Sequence, residues 1–368
     1  MKNNFKVISL ILVLLLVIGG TTFAAGISVT DELPDREIYS NGPRGNKATS
    51  AKTLSLSEDE LKEIKSGNYK AAIVMHYAGN DWSRAQINAL RETFSKMNIE
   101  VVAVTDAQFS VEKQTSDIET VMARQPDVII SIPVDPTATA NAFRLAVNAG
   151  IKLVFMDNVP AGFTPGEDYA SVVSADNYGN GVVAAEIMAE ELNGKGTVGI
   201  VYHDADFFVT AQRYEAFKTT IIENYPNIEI VEEGGFNNPS EASNVASSML
   251  TRNPTLDGIF AVWDVPAEGV LSAARPMGRS DLKITTIDLG ENVALDMARG
   301  GMIKGLGAQI PYWQGVSEAI IAGKALLEKD VEPYYAVPAL RVTRENLLES
   351  WKTVYNSEAP ENIKNQYE

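Results

Sequence analysis

Short apolar runs and helix-length amphipathic segments alternate along this chain, and the whole alternation occurs twice. The first series runs Ile73–Met75, a helix with Ile87, Leu90, Phe94 and Met97 at helical spacing, Val101–Val104, a helix over 111–123, Val128–Ile132, a helix over 137–148, and Leu153–Met156. The second runs Val198–Tyr202, a helix carrying Tyr214, Phe217 and Ile221, Ile228–Val231, a helix over 241–250, Gly258–Val262, a helix over 267–274, and Ile284–Ile287. Continuous apolar runs of this length suit strands buried on both faces, the condition of a parallel sheet covered by helices. Two successive βαβαβαβ series predict an α/β protein with two doubly wound parallel-sheet lobes in tandem. A length of 368 residues, too great for one ordinary core, agrees with two lobes.

The start of the chain reads as an address. Lys2 and Lys6 precede the apolar stretch Val7–Ile18, and small residues surround Thr22-Phe23-Ala24. That pattern predicts a signal peptide, residues 1–24, cleaved after Ala24. Its apolar core is short for a membrane span, and an uncleaved anchor is the alternative. The chain has no cysteine, which excludes disulfides, thiolate metal sites and a lipid-modified cysteine. A periplasmic protein without a lipid anchor is expected. The net charge of −17 argues against nucleic acid as a partner, because phosphate binding needs a basic face. Residues 26–52 are polar and carry Asn41-Gly42-Pro43-Arg44-Gly45-Asn46, the composition of a mobile leader. A helix then opens at Ser57 with Glu60 completing a capping box, and Gly67 ends it.

In open parallel sheets, ligands bind outside the carboxyl ends of the strands. In the first lobe those ends carry His76 with Asn80, Asp81 and Trp82, then Asp106, Asp135, and Asp157 with Asn158. In the second they carry His203, Phe236, Trp263 with Asp264, and Asp288, while Gly305–Ala308 leads to Gln309. The chain's two histidines fall at matching ends of the first strand of each lobe. The bland readings are that such histidines are structural, that Asp106, Asp135, Asp176, Asp204 and Asp264 cap the following helices, and that Arg213 is a surface residue. Catalytic motifs are weak: there is no Gly-x-Ser-x-Gly, no lysine-bearing phosphate loop and no His-Glu-x-x-His. No metal, cofactor or catalytic residue is assigned. Carboxylates, amides and an arginine offer partners for hydroxyl groups, and Trp and Phe faces cover the C–H side of a ring.

From about Tyr69 to Val342 the chain resembles a type I periplasmic sugar-binding protein of the ribose-binding group, the substrate-binding component of an ABC importer. The matching residues are Asp157, Ser174-Ala175-Asp176-Asn177, Arg213 before Tyr214-Glu215-Ala216-Phe217, Phe236, Trp263-Asp264, Asp288 and Ala308-Gln309-Ile310-Pro311. The resemblance implies two lobes joined by a hinge: residues 70–174 plus 310–336 form lobe 1, residues 175–309 plus 337–368 form lobe 2, and residues 25–69 lead in. It implies a cleft where Asp157, Asn158 and Trp82 bind from the first lobe, and Arg213, Phe236, Trp263, Asp288 and Gln309 from the second lobe or hinge. Three departures count against ribose itself: the family usually has arginine at Asn158, asparagine at Trp263, and two phenylalanines around Asp81 and Trp82. The resemblance therefore implies a monomer that captures another neutral sugar or a sugar alcohol and hands it to a membrane permease, with no cofactor and no turnover. The alternatives are an exported sugar-acting enzyme and a binding protein feeding a chemoreceptor or sensor kinase.

Overall fold

A computed structural model describes residues 26–205 and 207–367; the expected signal peptide lies outside them. In chain order the elements are β1 (Ile27–Ser28), β2 (Thr49–Ser50), β3 (Ser55–Leu56), α1 (Glu58–Ser66), β4 (Lys70–Met75), α2 (Asp81–Lys96), β5 (Glu100–Asp106), α3 (Val111–Met122), β6 (Val128–Ser131), α4 (Ala140–Asn148), β7 (Lys152–Met156) and β8 (Val172–Ala175). There follow α5 (Asn177–Glu191), β9 (Gly196–His203), α6 (Phe208–Asn224), β10 (Ile228–Phe236), α7 (Ala242–Arg252), β11 (Gly258–Ala261), α8 (Asp264–Ala274), β12 (Lys283–Ile287), α9 (Glu291–Ala298) and β13 (Ile303–Ala308). The chain closes with α10 (Pro311–Leu326), β14 (Tyr334–Val337), β15 (Leu340–Thr343), α11 (Leu347–Tyr355) and α12 (Glu361–Tyr367).

Two sheets organise these elements. One has the order β2-β14-β8-β7-β6-β4-β5 with every pair parallel. The other has the order β10-β9-β11-β12-β13-β15, parallel except where β15 returns against β13. Apolar layers cover both faces of the first sheet. Ile73, Met75, Val128 and Ile130 pack toward α2 and α10, while Ala72, Val74, Ile129 and Phe155 pack toward α3 and α4. The second sheet buries Val198, Ile200, Ile259 and Ile284 under α5, α6, α7 and α8. The apolar runs of the central strands are thus buried on both sides, as their lack of alternation requires, whereas the edge strands β5 and β10 are only partly buried and Val231 of β10 is exposed.

The chain passes between the sheets three times: from β8 to α5, from β13 to α10, and from β14 to β15. Each passage is a short link, so the two sheets are tied side by side at one edge.

Residues 26–52 differ from the mobile leader expected of their composition. β2 adds a strand to the first sheet by pairing with β14, and β1 pairs with β3. Val29, Leu33, Ala51, Leu54 and Leu56 are buried against the core on the α10 side. The partner of β2 lies near the other end of the chain, where composition gives no sign of it. The helix after it matches expectation: Ser57 and Glu60 form a reciprocal cap on α1, and Glu60 also meets Lys324 of α10 at 3.5 Å.

Candidate functional site

The fourth strand of each parallel series ends the same way. Asp157 follows β7 with φ of 53°, and Asp288 follows β12 with φ of 71°. Aspartate is among the few side chains that tolerate this left-handed turn. Backbone strain of this kind is concentrated at functional sites. Both carboxylates are largely buried, and both sit at the carboxyl edge of a sheet.

A single chain of side-chain hydrogen bonds connects them. Ser174 Oγ donates to Asp157 Oδ1 at 2.6 Å, and Asn177 Nδ2 donates to Ser174 Oγ at 2.9 Å. Arg213 Nε donates to Asn177 Oδ1 at 2.8 Å, and its Nη1 meets Asp288 Oδ2 at 3.5 Å. Gln309 Nε2 donates to Asp288 Oδ1 at 2.8 Å. The links come from β8, α5, α6 and the strand ends, so this chain runs from one sheet to the other through two of the three passages. Arg213, on the inner face of α6, is 4% exposed. It is no surface residue: its charge is held against Asp288 and the main-chain carbonyl of Val262.

The aromatic residues gather beside it. His203, Phe236 and Trp263 have ring centroids 5.2–5.7 Å apart. In the other lobe His76 stands edge-on to Trp82 at 6.0 Å and to Phe109 at 5.1 Å. Burial pushes the His76 imidazole down to about 4, and burial also lowers His203. Both rings are therefore neutral near pH 7 and behave as hydrogen-bonding aromatics.

The electrostatics favour a ligand with hydroxyl donors. Burial raises Asp157 to about 6, outweighing the Ser174 hydroxyl and the Arg213 charge that favour ionisation. Burial raises Asp288 as well, against the pull of Arg213 and Gln309. Among the buried polar atoms of the described residues without a partner, three lie on expected site residues: Asn158 Nδ2, on a residue 2% exposed, Trp82 Nε1 and His76 Nδ1. A buried unpaired donor costs free energy until something accepts from it, and an oxygen of a bound ligand would serve. Among the described residues no group of three or more His, Asp or Glu is placed to hold a metal ion.

The remaining expected residues have local duties. Asn80 caps α2 by accepting from Ser83 N at 2.9 Å, which occupies its side-chain oxygen. Asp81 pairs with Arg84 and accepts from Glu291 N at 3.0 Å. That bond joins the start of α2 to the start of α9, so the two lobes touch across the mouth of the cleft. Asp106 does not cap α3; Ser110 does, by accepting from Lys113 N at 3.1 Å.

Asp264 departs most from the sequence reading. It is not a helix cap but the first residue of α8, buried with its Oδ1 accepting from Val265 N at 2.8 Å. A side chain at Gly290 would come within 2.2 Å of its Oδ2, so glycine there lets the turn after Asp288 lie on Asp264. Burial, then the Asp288 charge, raises its carboxyl well above the ordinary range. Ser174 and Asn177 were visible only as part of a motif at the passage between lobes; their side-chain role is set by contacts the sequence does not display.

Comparison with known proteins fits this geometry. Residues 71–329 match the family model of a periplasmic binding protein domain. The ribose import binding protein of Salmonella typhimurium is 23% identical over 274 residues, covering 74% of this chain and 90% of that protein. A xylitol-binding protein of Mycolicibacterium smegmatis is 25% identical over 263 residues, covering 70% and 72% respectively. Among solved structures, an ABC transporter periplasmic solute binding protein from Actinobacillus succinogenes with bound D-allose is 25% identical, with a TM-score of 0.68 over 76% of this chain and 99% of its own. A solute binding protein from Agrobacterium vitis bound with α-D-tagatopyranose shares the fold at a TM-score of 0.71 and 20% identity, covering 78% and 99%.

Proposed function

Since this chain belongs to the periplasmic binding protein family, we propose that it captures a neutral sugar or sugar alcohol between its lobes and delivers it to the permease of an ABC importer. It is a binding protein and not an enzyme, as its curated relatives are. The observation that supports the reading is the hydrogen-bonded chain from Asp157 to Asp288, which links side chains of both lobes in one connected unit. Asp157 and Asp288 accept from ligand hydroxyls, Asn158, Arg213 and Gln309 donate, and Trp82, Phe236 and Trp263 cover the C–H faces. His76 and His203 support those rings, while Asn80 and Asp81 shape the rim. A ligand that contacts both lobes stabilises their closed arrangement through that differential contact, with the three passages as the hinge.

In this reading residues 1–24 are the export signal, and the mature chain works as a periplasmic monomer. The lobes divide at 174/175, 309/310 and 336/337. A micromolar affinity corresponds to about −8 kcal/mol, within reach of several hydroxyl hydrogen bonds and aromatic stacking. The test is a thermal-shift screen of residues 25–368 against sugars, polyols, amino acids and nucleosides, followed by calorimetry on each hit. Stabilisation by a sugar or polyol is expected. Stabilisation confined to amino acids or nucleosides would overturn the assignment.

A further inference from the structure

Residues 36–46 lie ahead of the family-matched region and run over the first passage between the lobes. On the first-lobe side Arg44 Nη2 donates to the Pro160 carbonyl at 2.6 Å. The turn there is tight, with Gly42 N on Asn46 O and Gly45 N on Gly42 O, both at 2.8 Å. Gly42 lies on the ring of Tyr334, where a Cβ would come within 2.8 Å of Cγ. On the second-lobe side Arg36 pairs with Glu186 of α5 at 3.4 Å.

Between these anchors the segment closes on Asp176, the fully buried residue that links β8 to α5. Tyr39 N donates to Asp176 Oδ2 at 3.2 Å, and Ser40 N and Ser40 Oγ both donate to Oδ1 at 2.9 Å. Ser40 Oγ in turn accepts from Tyr178 N at 3.0 Å. Asp176 also caps α5 through Gly179 N at 3.0 Å. Its neighbours on either side, at one and two positions, are Asn177 and Ser174, which hold Arg213 and Asp157.

We propose that this segment is a strap that positions the binding site: by fixing Asp176 it sets Ser174 and Asn177, and by gripping both lobes it biases them toward closure. The inference rests on the binding reading of the cleft. Its logic is that of differential contact. The strap holds α5 of one lobe and the Pro160 loop of the other while Asp81 and Glu291 touch across the mouth, so its contacts belong to the approached arrangement. Charge-assisted bonds to a buried carboxylate are the strong class of hydrogen bond, which suits a fixed pivot.

Two variants test it. Ser40→Ala removes one bond to Asp176 and the acceptor for Tyr178 N. Arg36→Glu repels Glu186 at a partly exposed site and leaves the core alone; adding Glu186→Arg restores an opposite-charge pair. The readouts are small-angle scattering of the ligand-free chain, amide exchange over 174–180, and calorimetry with D-ribose, D-allose, xylitol and myo-inositol.

The strap predicts a larger ligand-free radius of gyration and faster exchange for both variants. It also predicts affinity lower by about five- to tenfold for whichever probe binds, the worth of one such hydrogen bond, and recovery in the Arg36→Glu, Glu186→Arg double variant. Unchanged scattering and exchange overturn it, as does a lower melting temperature with affinity intact, which would mark a merely structural contact. If none of the probes and no compound in the screen binds the parent chain, the binding reading fails. Scattering and exchange then still judge the strap: a larger ligand-free form upholds its bias toward closure, an unchanged one removes it.

Discussion

At the scale of single residues, the two left-handed aspartates make separable predictions. Asp288 makes no cap on α9, whose N-cap is Gly290. Asparagine keeps the left-handed turn. Asp288→Asn keeps an acceptor for Arg213 and Gln309 but removes the opposing charge, so the apo melting temperature is expected to fall while affinity falls about ten- to a hundredfold, or about 1.4–2.8 kcal/mol; thermal melting checks the first and calorimetric titration the second. Asp157 adds a pH dependence. Its carboxyl titrates near 6 in the folded chain against an ordinary 3.8, so between those values the folded state holds a proton that the unfolded state has released. Stability therefore falls as pH rises through that window and no longer changes with this group above it, the reverse of a paired surface carboxylate. A ligand hydroxyl prefers the ionised form, so binding expels the proton. Affinity should rise with pH through 6 and be about tenfold weaker at pH 5 than at pH 7, and Asp157→Asn should flatten the profile. Arg213 is the one cation in the hydrogen-bonded chain. Arg213→Met leaves Asp288 buried without it, and the expected cost is about 3 kcal/mol in chemical denaturation.

At the scale of elements, close approach between backbones decides what is tolerated. Gly307 in β13 lies under α5, where a Cβ would meet Asn180 O at 2.3 Å and Asn180 Cα at 2.7 Å. Main chain gives way poorly, so Gly307→Ala is expected to cost about 1–3 kcal/mol, read as a lower denaturant midpoint with an unchanged slope. The same helix explains which elements were legible from sequence. The strands from β4 to β7 and from β9 to β12 stand out as apolar runs bounded by polar turns. Helices α5 and α10 do not, because they are buried on nearly every side, Asn177, Asn180, Gln314 and Glu318 included. A helix without a wet face has no amphipathic period to read. Strands β8, β14 and β15 lie at the passages between the sheets, outside the regular strand–helix alternation that frames the others. Asp157, Arg213, Asp288 and Gln309 were reachable because strand ends and a family motif point to them. Asp264 was not: nothing local separates a capping aspartate from one buried beneath a glycine turn.

At the scale of the molecule, the proposed hinge lets two sheets joined by three links move as rigid bodies, with the Asp81–Glu291 bond among the contacts that opening would break. Small-angle scattering at saturating ligand should give a smaller radius of gyration than without ligand; superimposable profiles would count against closure. The sheet order carries one more consequence, about time. Thr49 sits beside Tyr335, and β8 finds its neighbour β14 only near the end of the chain. As the polypeptide is made, the first sheet therefore stays unfinished until the second has been almost entirely synthesised, and β15 completes the second later still. Pairings of such long sequence separation are slow to form. A nascent chain of this design leaves its first sheet incomplete until β14 has been made.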